Sequence, residues 1–210
     1  MITATDSPPL DPACACGVAA LGDEPFYGQM LAHLGRGSSD YRAVLARYFD
    51  FAIREGERLG RVARAADPRD GIAIWTLPQA ADVQAAAVRA KREFLERHCG
   101  TAARVNYDLL VETMADHAAD LVPSGAWYLS ILAVQPALQG KGLGQALVGV
   151  TLAEADAKGA DTYVETSNPR NLRFYQRLGY TAVTSYREPV TTAEYWVLVR
   201  RAPRPKGTAR

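Results

Sequence analysis

Residues 126–144 read AWYLSILAVQPALQGKGLG. Up to Val134 this is a continuous apolar run with one Ser, which is typical of a central strand buried on both faces. Pro136 ends the strand, and glycines then alternate just before residues 145–158, whose apolar positions have helical spacing. The sequence therefore predicts a buried strand, a glycine loop and a helix in direct succession.

The glycine loop, residues 139–144, is suited to binding an anion. Its glycines let backbone amides approach a ligand closely and permit positive φ. The start of the next helix adds unpaired N–H groups and a partial positive charge. Together these features predict a phosphate site, with Lys141 at its rim. A tight turn without a ligand stays the alternative, because glycine is the usual turn residue.

Spacing separates this loop from two common phosphate motifs. A P-loop needs G-x4-G-K-[ST], but a glycine follows Lys141. A dinucleotide fingerprint needs G-x-G-x-x-G, and the position of its third glycine holds Gln145. The pattern that fits is Q-x-x-G-x-G, formed by Gln139, Gly142 and Gly144.

The loop, its strand and the segment NLRFYQRLGY at 171–180 resemble the GNAT superfamily of N-acetyltransferases. Within it, ETSNPRNL at 165–172 and IWTLP at 74–78 resemble the puromycin N-acetyltransferase group. The resemblance implies an α/β fold with a mixed, mostly antiparallel, twisted sheet of about six or seven strands and helices on both faces. It also implies parallel central strands that splay apart at an acetyl-CoA site.

The same resemblance implies acetyl-CoA as co-substrate and no metal. The backbone of Leu132, Ala133 and Val134 would pair with the pantetheine amides, and Asn171 would lie beside the pantetheine arm. The pyrophosphate would be held by the amides of Gln139, Gly140, Lys141, Gly142, Leu143 and Gly144.

Two side chains are the candidates for catalysis. The resemblance implies that Tyr175 protonates the departing thiolate, and a phenol can donate at neutral pH without being ionised. The strand before the loop holds no carboxylate, so Glu165 on the neighbouring predicted strand is the candidate general base. Removal of the amine proton through a water chain remains equally open.

The sequence indicates less clearly which residues would bind the amine that accepts the acetyl group. Glu24, Phe26 and Tyr27 would form an acidic and aromatic wall suited to a cationic amine, and an ordinary capped turn is the alternative. We expect direct attack by a primary amine of a small molecule on acetyl-CoA in a ternary complex. Acetylation of a protein lysine or N-terminus, and a non-catalytic CoA-binding regulatory module, are the other hypotheses.

Net charge and cysteine spacing argue against binding of nucleic acid, membranes and metals. The chain has 210 residues and a formal net charge of +1, so no global charge favours nucleic acid or a membrane surface. The N-terminus lacks a secretory pattern, so a cytoplasmic location is expected. We also expect a monomer or a homodimer. Cys14, Cys16 and Cys99 read as buried thiols, and their spacing predicts no metal site.

We expect one N-acetyltransferase domain over residues 1–200, with a cofactor-binding core at about 126–186, and a flexible basic tail at 201–210. Strand–helix–strand order near the C-terminus predicts parallel pairing there. Strands are predicted at 2–5, 61–66, 71–77, 126–134, 161–166, 180–186 and 193–199. Helices are predicted at 10–21, 26–34, from 41 onward, twice within 79–119, at 145–158 and at 169–178.

Overall fold

A computed structural model describes residues 9–203 of the chain. The strand predicted at 2–5 lies outside the described residues. The helices are α1 (Ala13–Leu21), α2 (Pro25–Met30), α3 (Ser39–Leu59), α4 (Ala81–His98), α5 (Thr101–Ala118), α6 (Leu143–Ala157) and α7 (Leu172–Arg177). The strands are β1 (Gly60–Arg64), β2 (Gly71–Thr76), β3 (Trp127–Val134), β4 (Thr162–Thr166), β5 (Thr181–Arg187) and β6 (Glu194–Arg200). Short 3-10 turns cover Ala32–Leu34, Pro136–Leu138 and Pro169–Asn171.

The strands form one sheet in the order β1-β2-β3-β4-β6-β5. The β3–β4 pair is parallel, and the other neighbouring pairs are antiparallel. The predicted mixed, mostly antiparallel sheet is therefore confirmed.

The prediction of parallel pairing near the C-terminus is right for β3 and β4 but wrong for β4 and β5. Strand β6 lies between those two and is antiparallel to both, so they share a direction without touching. The reason lies in the turn after β5, where the buried Glu188 carboxylate accepts backbone N–H groups of Val190 and Thr191. This tight turn returns the chain as β6, which takes the place beside β4.

Helices cover both faces of the sheet, as predicted. On one face, Leu45, Phe49 and Ile53 of α3 belong to the same buried cluster as Ile72 and Ile131. The side chains of α3 recur at helical spacing, and the Ser38 hydroxyl caps the helix by accepting the Tyr41 N–H at 3.1 Å. The other face is a separate cluster built mainly from α6 and α7.

The strand most completely buried is β2, in which every residue from 71 to 75 is buried. Strand β3, predicted to be buried on both faces, instead alternates between buried and half-buried residues. Its half-buried positions are Tyr128, Ser130, Leu132 and Val134. These residues leave part of β3 available to line a cavity.

A bulge interrupts β3 at Ser130. Ile74 of β2 is opposite Ile131, but Trp75 is opposite Leu129, so one residue of β3 is left over. The Ser130 hydroxyl donates to the Ile74 carbonyl oxygen at 3.0 Å. Bulges bend the strand that carries them and redirect its side chains.

Strands β3 and β4 separate soon after they begin. Their register covers the pairs Trp127 with Thr162 and Tyr128 with Tyr163, although β3 continues to Val134. The β4-facing edge of β3 is therefore left without a strand partner from residue 129 onward. This divergence confirms the predicted splay of the parallel central strands.

Helices α4 and α5 connect β2 to β3, and this connection is called the α4–α5 excursion. The two strands are adjacent and antiparallel, so a short turn could have joined them. The excursion is tied to α3 by the Lys91–Glu55 ion pair at 2.5 Å and by stacked Phe51 and Phe94 rings, whose centroids are 4.4 Å apart. It thus stands as a fixed wall beside the open edge of β3.

The predicted buried thiols are confirmed, since Cys14, Cys16 and Cys99 are free and buried. Arg201 and Ala202, the first residues of the predicted tail, both bind the Asp161 carboxylate. Residues 204–210 lie outside the described part. Within residues 9–203, no helix is both long and apolar enough to cross a membrane. That same part also contains no group of three or more His, Cys, Asp or Glu side chains placed to hold a metal ion.

Candidate active site

A cavity of about 780 Å³ opens where β3 and β4 diverge. Residues of α2, α3, α4 and α5 form its walls, and residues of β2, β3 and β4 line it from the sheet. The structure brings most of the predicted catalytic and substrate-binding side chains to this one space: Glu24, Phe26, Tyr27, Leu132, Glu165, Asn171 and Tyr175.

The glycine loop lies beside this cavity, outside its lining. Gly140 and Gly142 have φ values of 75° and 86°, which favour glycine. A Cβ at either position would meet no other atom within 4 Å. The backbone conformation therefore requires glycine here, and the space in front of the loop is open to a ligand.

Helix α6 begins immediately after the loop, with Gly142 as its N-cap residue in the left-handed conformation. The Ala146 N–H donates to the Gly142 carbonyl oxygen at 3.1 Å. The amides just before Ala146 have no partner within the helix and add to the positive end of its dipole. The positive-φ glycines and the start of a fifteen-residue helix are therefore adjacent, and the anion site itself stays a prediction.

The first residues of α6 are connected to the cavity by aromatic packing. A Cβ on Gly144 would lie 3.4 Å from the Phe174 ring, so this ring packs directly beside the start of α6. Phe174 in turn contacts Tyr175 edge to face, with ring centroids 5.1 Å apart. The loop and the candidate acid are thereby held in one packed unit.

The Tyr175 side chain lines the cavity and is 6% exposed. Its ring packs edge to face against Tyr180 at 5.8 Å. Burial raises the pKa of Tyr175 well above its usual value, and the neighbouring Tyr180 and Glu24 raise it further. The phenol therefore stays protonated at neutral pH.

Glu165 projects from β4 into the same cavity. The Tyr128 hydroxyl donates to its Oε2 at 3.2 Å, while Oε1 is buried with no hydrogen-bond partner among the described residues. Burial raises the pKa of Glu165 to about 7, against the opposing effect of the Tyr128 hydrogen bond. A carboxyl with this pKa and a free oxygen is suited to accept a proton near neutral pH.

The end of β4 is joined to the segment before α2. The Ser167 hydroxyl donates to Glu24 Oε2 at 2.7 Å, although the two residues are 143 positions apart in sequence. The Asn171 side-chain amide donates to Thr166 Oγ1 at 3.1 Å. These bonds hold Glu24 and Asn171 at the wall of the cavity.

The two predicted aromatic residues of the acceptor wall also serve the core. Tyr27 packs against Tyr48 and Phe49, with ring centroids 5.8 and 5.2 Å away. Phe26 contacts the Tyr107 ring of α5 at 6.0 Å. Both side chains still line the cavity, so the wall is rigid as well as aromatic.

Within the predicted donor set, Leu132 lines the cavity and packs against the cluster around α6 and α7, whereas Ala133 is fully buried in the cluster on the α3 face. The Val134 carbonyl oxygen accepts the Gln139 side-chain amide at 3.1 Å. Lys141 is exposed at the rim of the loop. The donor residues therefore extend from the cavity along the β3 edge to the loop.

Several lining residues were missed by the sequence analysis. Tyr128 and Ser130 lie on a strand that was interpreted as core, and the bulge that helps to expose this part of β3 has no signal in the local sequence. Lys91 and Tyr107 come from the α4–α5 excursion, and no local motif distinguishes them from ordinary helix residues. Tyr195 comes from β6, and its position in the cavity depends on the strand order.

Residues 81–180 match the model of the Acetyltransferase (GNAT) family. The matched segment runs from α4 through α7 and so includes both diverging strands, the glycine loop and Tyr175. By class, this segment is similar to acetyltransferases. More particularly, it is similar to the GNAT family.

Solved structures of acetyltransferases share the fold along nearly the whole chain. One, described as a histone acetyltransferase and related acetyltransferase from Corynebacterium glutamicum, has 20% identity and a TM-score of 0.64, covering 93% of this chain and 92% of its own. Arylalkylamine N-acetyltransferase 2 from Aedes aegypti has 16% identity and a TM-score of 0.61, covering 92% and 94%. A mosquito arylalkylamine N-acetyltransferase like 5b has 17% identity and a TM-score of 0.56, covering 90% and 93%.

Proposed function

We propose that the protein transfers the acetyl group of acetyl-CoA to a primary amine of a small molecule. The observation that carries this proposal is that Glu165, with a buried and unpartnered oxygen, lines the same cavity as the protonated Tyr175. A proton acceptor and a proton donor are the two groups that amide formation from a thioester requires. The cavity also opens at the unpaired edge of β3.

The donor side fits acetyl-CoA in three respects. The loop amides and the start of α6 offer N–H groups to a pyrophosphate. The open edge of β3 over Leu132, Ala133 and Val134 offers backbone groups to the pantetheine amides, in the way an added strand would pair. Asn171 lies at the cavity wall beside this edge.

Acetyl-CoA, when bound, supplies a thioester, so that a C–N bond forms at its carbonyl carbon and the C–S bond breaks. Glu165 accepts the proton that the attacking amine loses, directly or through a water molecule. From residue 129 onward the β4-facing edge of β3 has no strand partner, so backbone N–H groups on that edge are available to stabilise negative charge on the carbonyl oxygen. Tyr175 acts on the departing sulfur.

The high pKa of Tyr175 determines whether its hydroxyl transfers a proton to the sulfur or only donates a hydrogen bond to it. A thiolate is a weaker base than a phenolate, because ordinary thiol and phenol pKa values are about 8.5 and 10. Burial raises the phenol further, so complete proton transfer to sulfur becomes less favourable. We therefore assign Tyr175 as a hydrogen-bond donor that stabilises the developing thiolate.

Release of free CoA thiol from acetyl-CoA, measured across a panel of amines, tests the proposal. The panel contains aryl and alkyl monoamines, diamines, puromycin and lysine-containing peptides. We expect release to depend on a small amine and to leave an N-acetyl product with a mass increase of one acetyl group. Release with peptides alone would transfer the assignment to protein acetylation. Binding of acetyl-CoA with no release on any amine would indicate a non-catalytic module.

A further inference from the structure

The cavity contains more negative charge than acetyl transfer uses. Its charged lining residues are Glu24, Glu55, Lys91, Arg92, Asp108, Glu112 and Glu165. Both cations are already paired, Lys91 with Glu55 at 2.5 Å and Arg92 with Asp108 at 2.9 Å. Among the described residues, Glu24, Glu112 and Glu165 have no cationic partner.

These three carboxylates occupy different positions. Glu112 is exposed on α5, at the outer rim. Glu24 and Glu165 are both partly shielded from solvent, and each accepts one hydrogen bond from a neutral hydroxyl, Ser167 and Tyr128 respectively. Neutral donors stabilise a shielded carboxylate less than a cation does. The proposed mechanism uses Glu165 and leaves Glu24 without a chemical role.

A buried hydroxyl points to a ligand beside Glu24. Tyr195 of β6 lines the cavity and is 4% exposed, and its hydroxyl forms no hydrogen bond of good geometry among the described residues. Its polar neighbour is Ser167, which lowers the pKa of Tyr195 but directs its own hydroxyl to Glu24. A buried hydroxyl without a partner is costly, so a ligand donor in this space would be stabilised by it.

The Glu24 carboxylate and the Tyr195 hydroxyl are electrostatically coupled. Burial raises the pKa of Tyr195, and the carboxylates of Glu188 and Glu24 raise it further. A group that donates N–H to both Glu24 and Tyr195 would satisfy the two acceptors together. An ammonium group has several donors and the complementary charge.

We propose that the acceptor is a short diamine whose non-reacting ammonium is bound by Glu24, Ser167 and Tyr195 while its other nitrogen is acetylated. This inference rests on the proposed function, and it specifies the acceptor class. Glu165 is near the end of β4 and Ser167 follows two residues later in the bend after the strand, so their backbones are at most roughly 7 Å apart. Such a separation between the anchoring and reacting ends suits a short aliphatic spacer.

The test compares putrescine with n-butylamine, which has the same carbon chain and one amine fewer. With wild-type protein and acetyl-CoA, we expect kcat/KM for putrescine to exceed that for n-butylamine by about tenfold to hundredfold, the range for one charge-assisted hydrogen-bonded contact. Glu24→Gln should remove most of this preference by raising KM for putrescine. The loss of kcat/KM should be much smaller for n-butylamine, which has no second ammonium for Glu24 to bind.

Glu112→Gln is the matched control, since it neutralises another unpaired carboxylate of the cavity and should keep the preference. Tyr195→Phe should weaken putrescine selectively and should not lower the melting temperature, because it removes an unpartnered buried hydroxyl. If Glu24→Gln lowers kcat/KM equally for both amines, Glu24 acts on the reacting nitrogen and the proposal is overturned. An absence of preference in the wild-type protein overturns it as well.

A failure of the proposed acetyl transfer can be distinguished from a failure of the diamine proposal. If no amine releases thiol, putrescine and n-butylamine are titrated calorimetrically into the acetyl-CoA-free protein. Tighter putrescine binding that Glu24→Gln abolishes, and Glu112→Gln retains, would support the diamine site without catalysis. Equal binding of both amines would exclude it.

Discussion

At the scale of single residues, burial has different consequences for the two candidate catalytic groups. It brings the pKa of Glu165 to about 7, where a carboxyl can exchange protons under physiological conditions. It moves the pKa of Tyr175 away from neutrality, so this phenol is retained as a donor. The same desolvation thus favours one group as a base and the other as a hydrogen-bond donor.

Tyr175→Phe removes the donor while keeping the ring that packs on Phe174 and Tyr180. We expect kcat to fall roughly hundredfold, the usual cost of removing a group that acts on developing charge. The Kd for acetyl-CoA should change little, since the hydroxyl acts mainly in the transition state. Steady-state kinetics and equilibrium binding separate these effects, and unchanged turnover would remove Tyr175 from the mechanism.

Glu165→Gln should alter the pH dependence of the reaction. In wild-type protein, kcat/KM should rise with pH through about 7 as Glu165 loses its proton and becomes able to accept one. The Gln variant should lack this limb and keep only the limb that belongs to the acceptor amine. Thiol release measured across the pH range checks this, and an identical profile in both proteins would exclude Glu165 as the base.

The stability of the Gln variant gives a second readout. The folded-state pKa of Glu165 lies above the ordinary glutamate value of 4.5, so folding becomes less favourable as pH rises from that value through about 7. Gln does not ionise and avoids this penalty. The gain in melting temperature from Glu165→Gln should therefore be larger above pH 7 than near pH 5.

At the scale of elements, the glycine loop and α6 form one unit whose anion site depends on backbone geometry. Gly140 and Gly142 adopt positive φ in open space, so conformation rather than crowding requires glycine. The unpaired amides at the start of α6 face the same opening. A side chain at Gly142 would occupy the place proposed for the pyrophosphate.

Gly142→Glu should therefore abolish stabilisation by acetyl-CoA, since it adds bulk and negative charge at that place. Gly142→Ala separates the backbone strain at φ 86° from the charge. Gly149→Glu is the matched control, because it adds the same side chain to α6 where a Cβ meets nothing within 4 Å. Thermal shifts with acetyl-CoA are the measurement, and a wild-type shift in Gly142→Glu would mean that the loop is not the donor site.

At the scale of the whole molecule, the cavity is assembled from segments distant in sequence. The segment before α2 reaches the end of β4 through Glu24 and Ser167, and β6 contributes Tyr195. The α4–α5 excursion completes the wall and is secured to α3 by Lys91 and Glu55. Ligand binding should consequently stabilise the fold as a unit.

Acetyl-CoA at about 100 times its Kd should stabilise the protein by about 2.7 kcal/mol. For a chain of this length, that corresponds to a rise in melting temperature of roughly 5–10 °C. NADH should give no comparable rise, because the loop lacks the dinucleotide spacing. Differential scanning fluorimetry measures both, and the opposite ranking would contradict the donor assignment.

Much of the fold follows from local patterns in the chain. The elements of residues 126–180 were predicted because apolar runs indicate the strands and helices, and Pro136 and the glycines mark their ends to within a few residues. The loop and Tyr175 were identified for the same reason, since their motifs are contiguous. The neighbour of β4 was predicted wrongly, because strand order depends on which edges meet in space and no local pattern encodes it.

The sequence by itself determined the order of elements, the glycine geometry of the loop and the resemblance to the GNAT superfamily, all of which rest on residues close together in the chain. Only the tertiary structure decided that β6 lies beside β4, that Glu165 is shielded enough to have a pKa of about 7, and that Glu24 meets Ser167. Desolvation and long-range contact are properties of packed surfaces, and the proposed acceptor site depends on both.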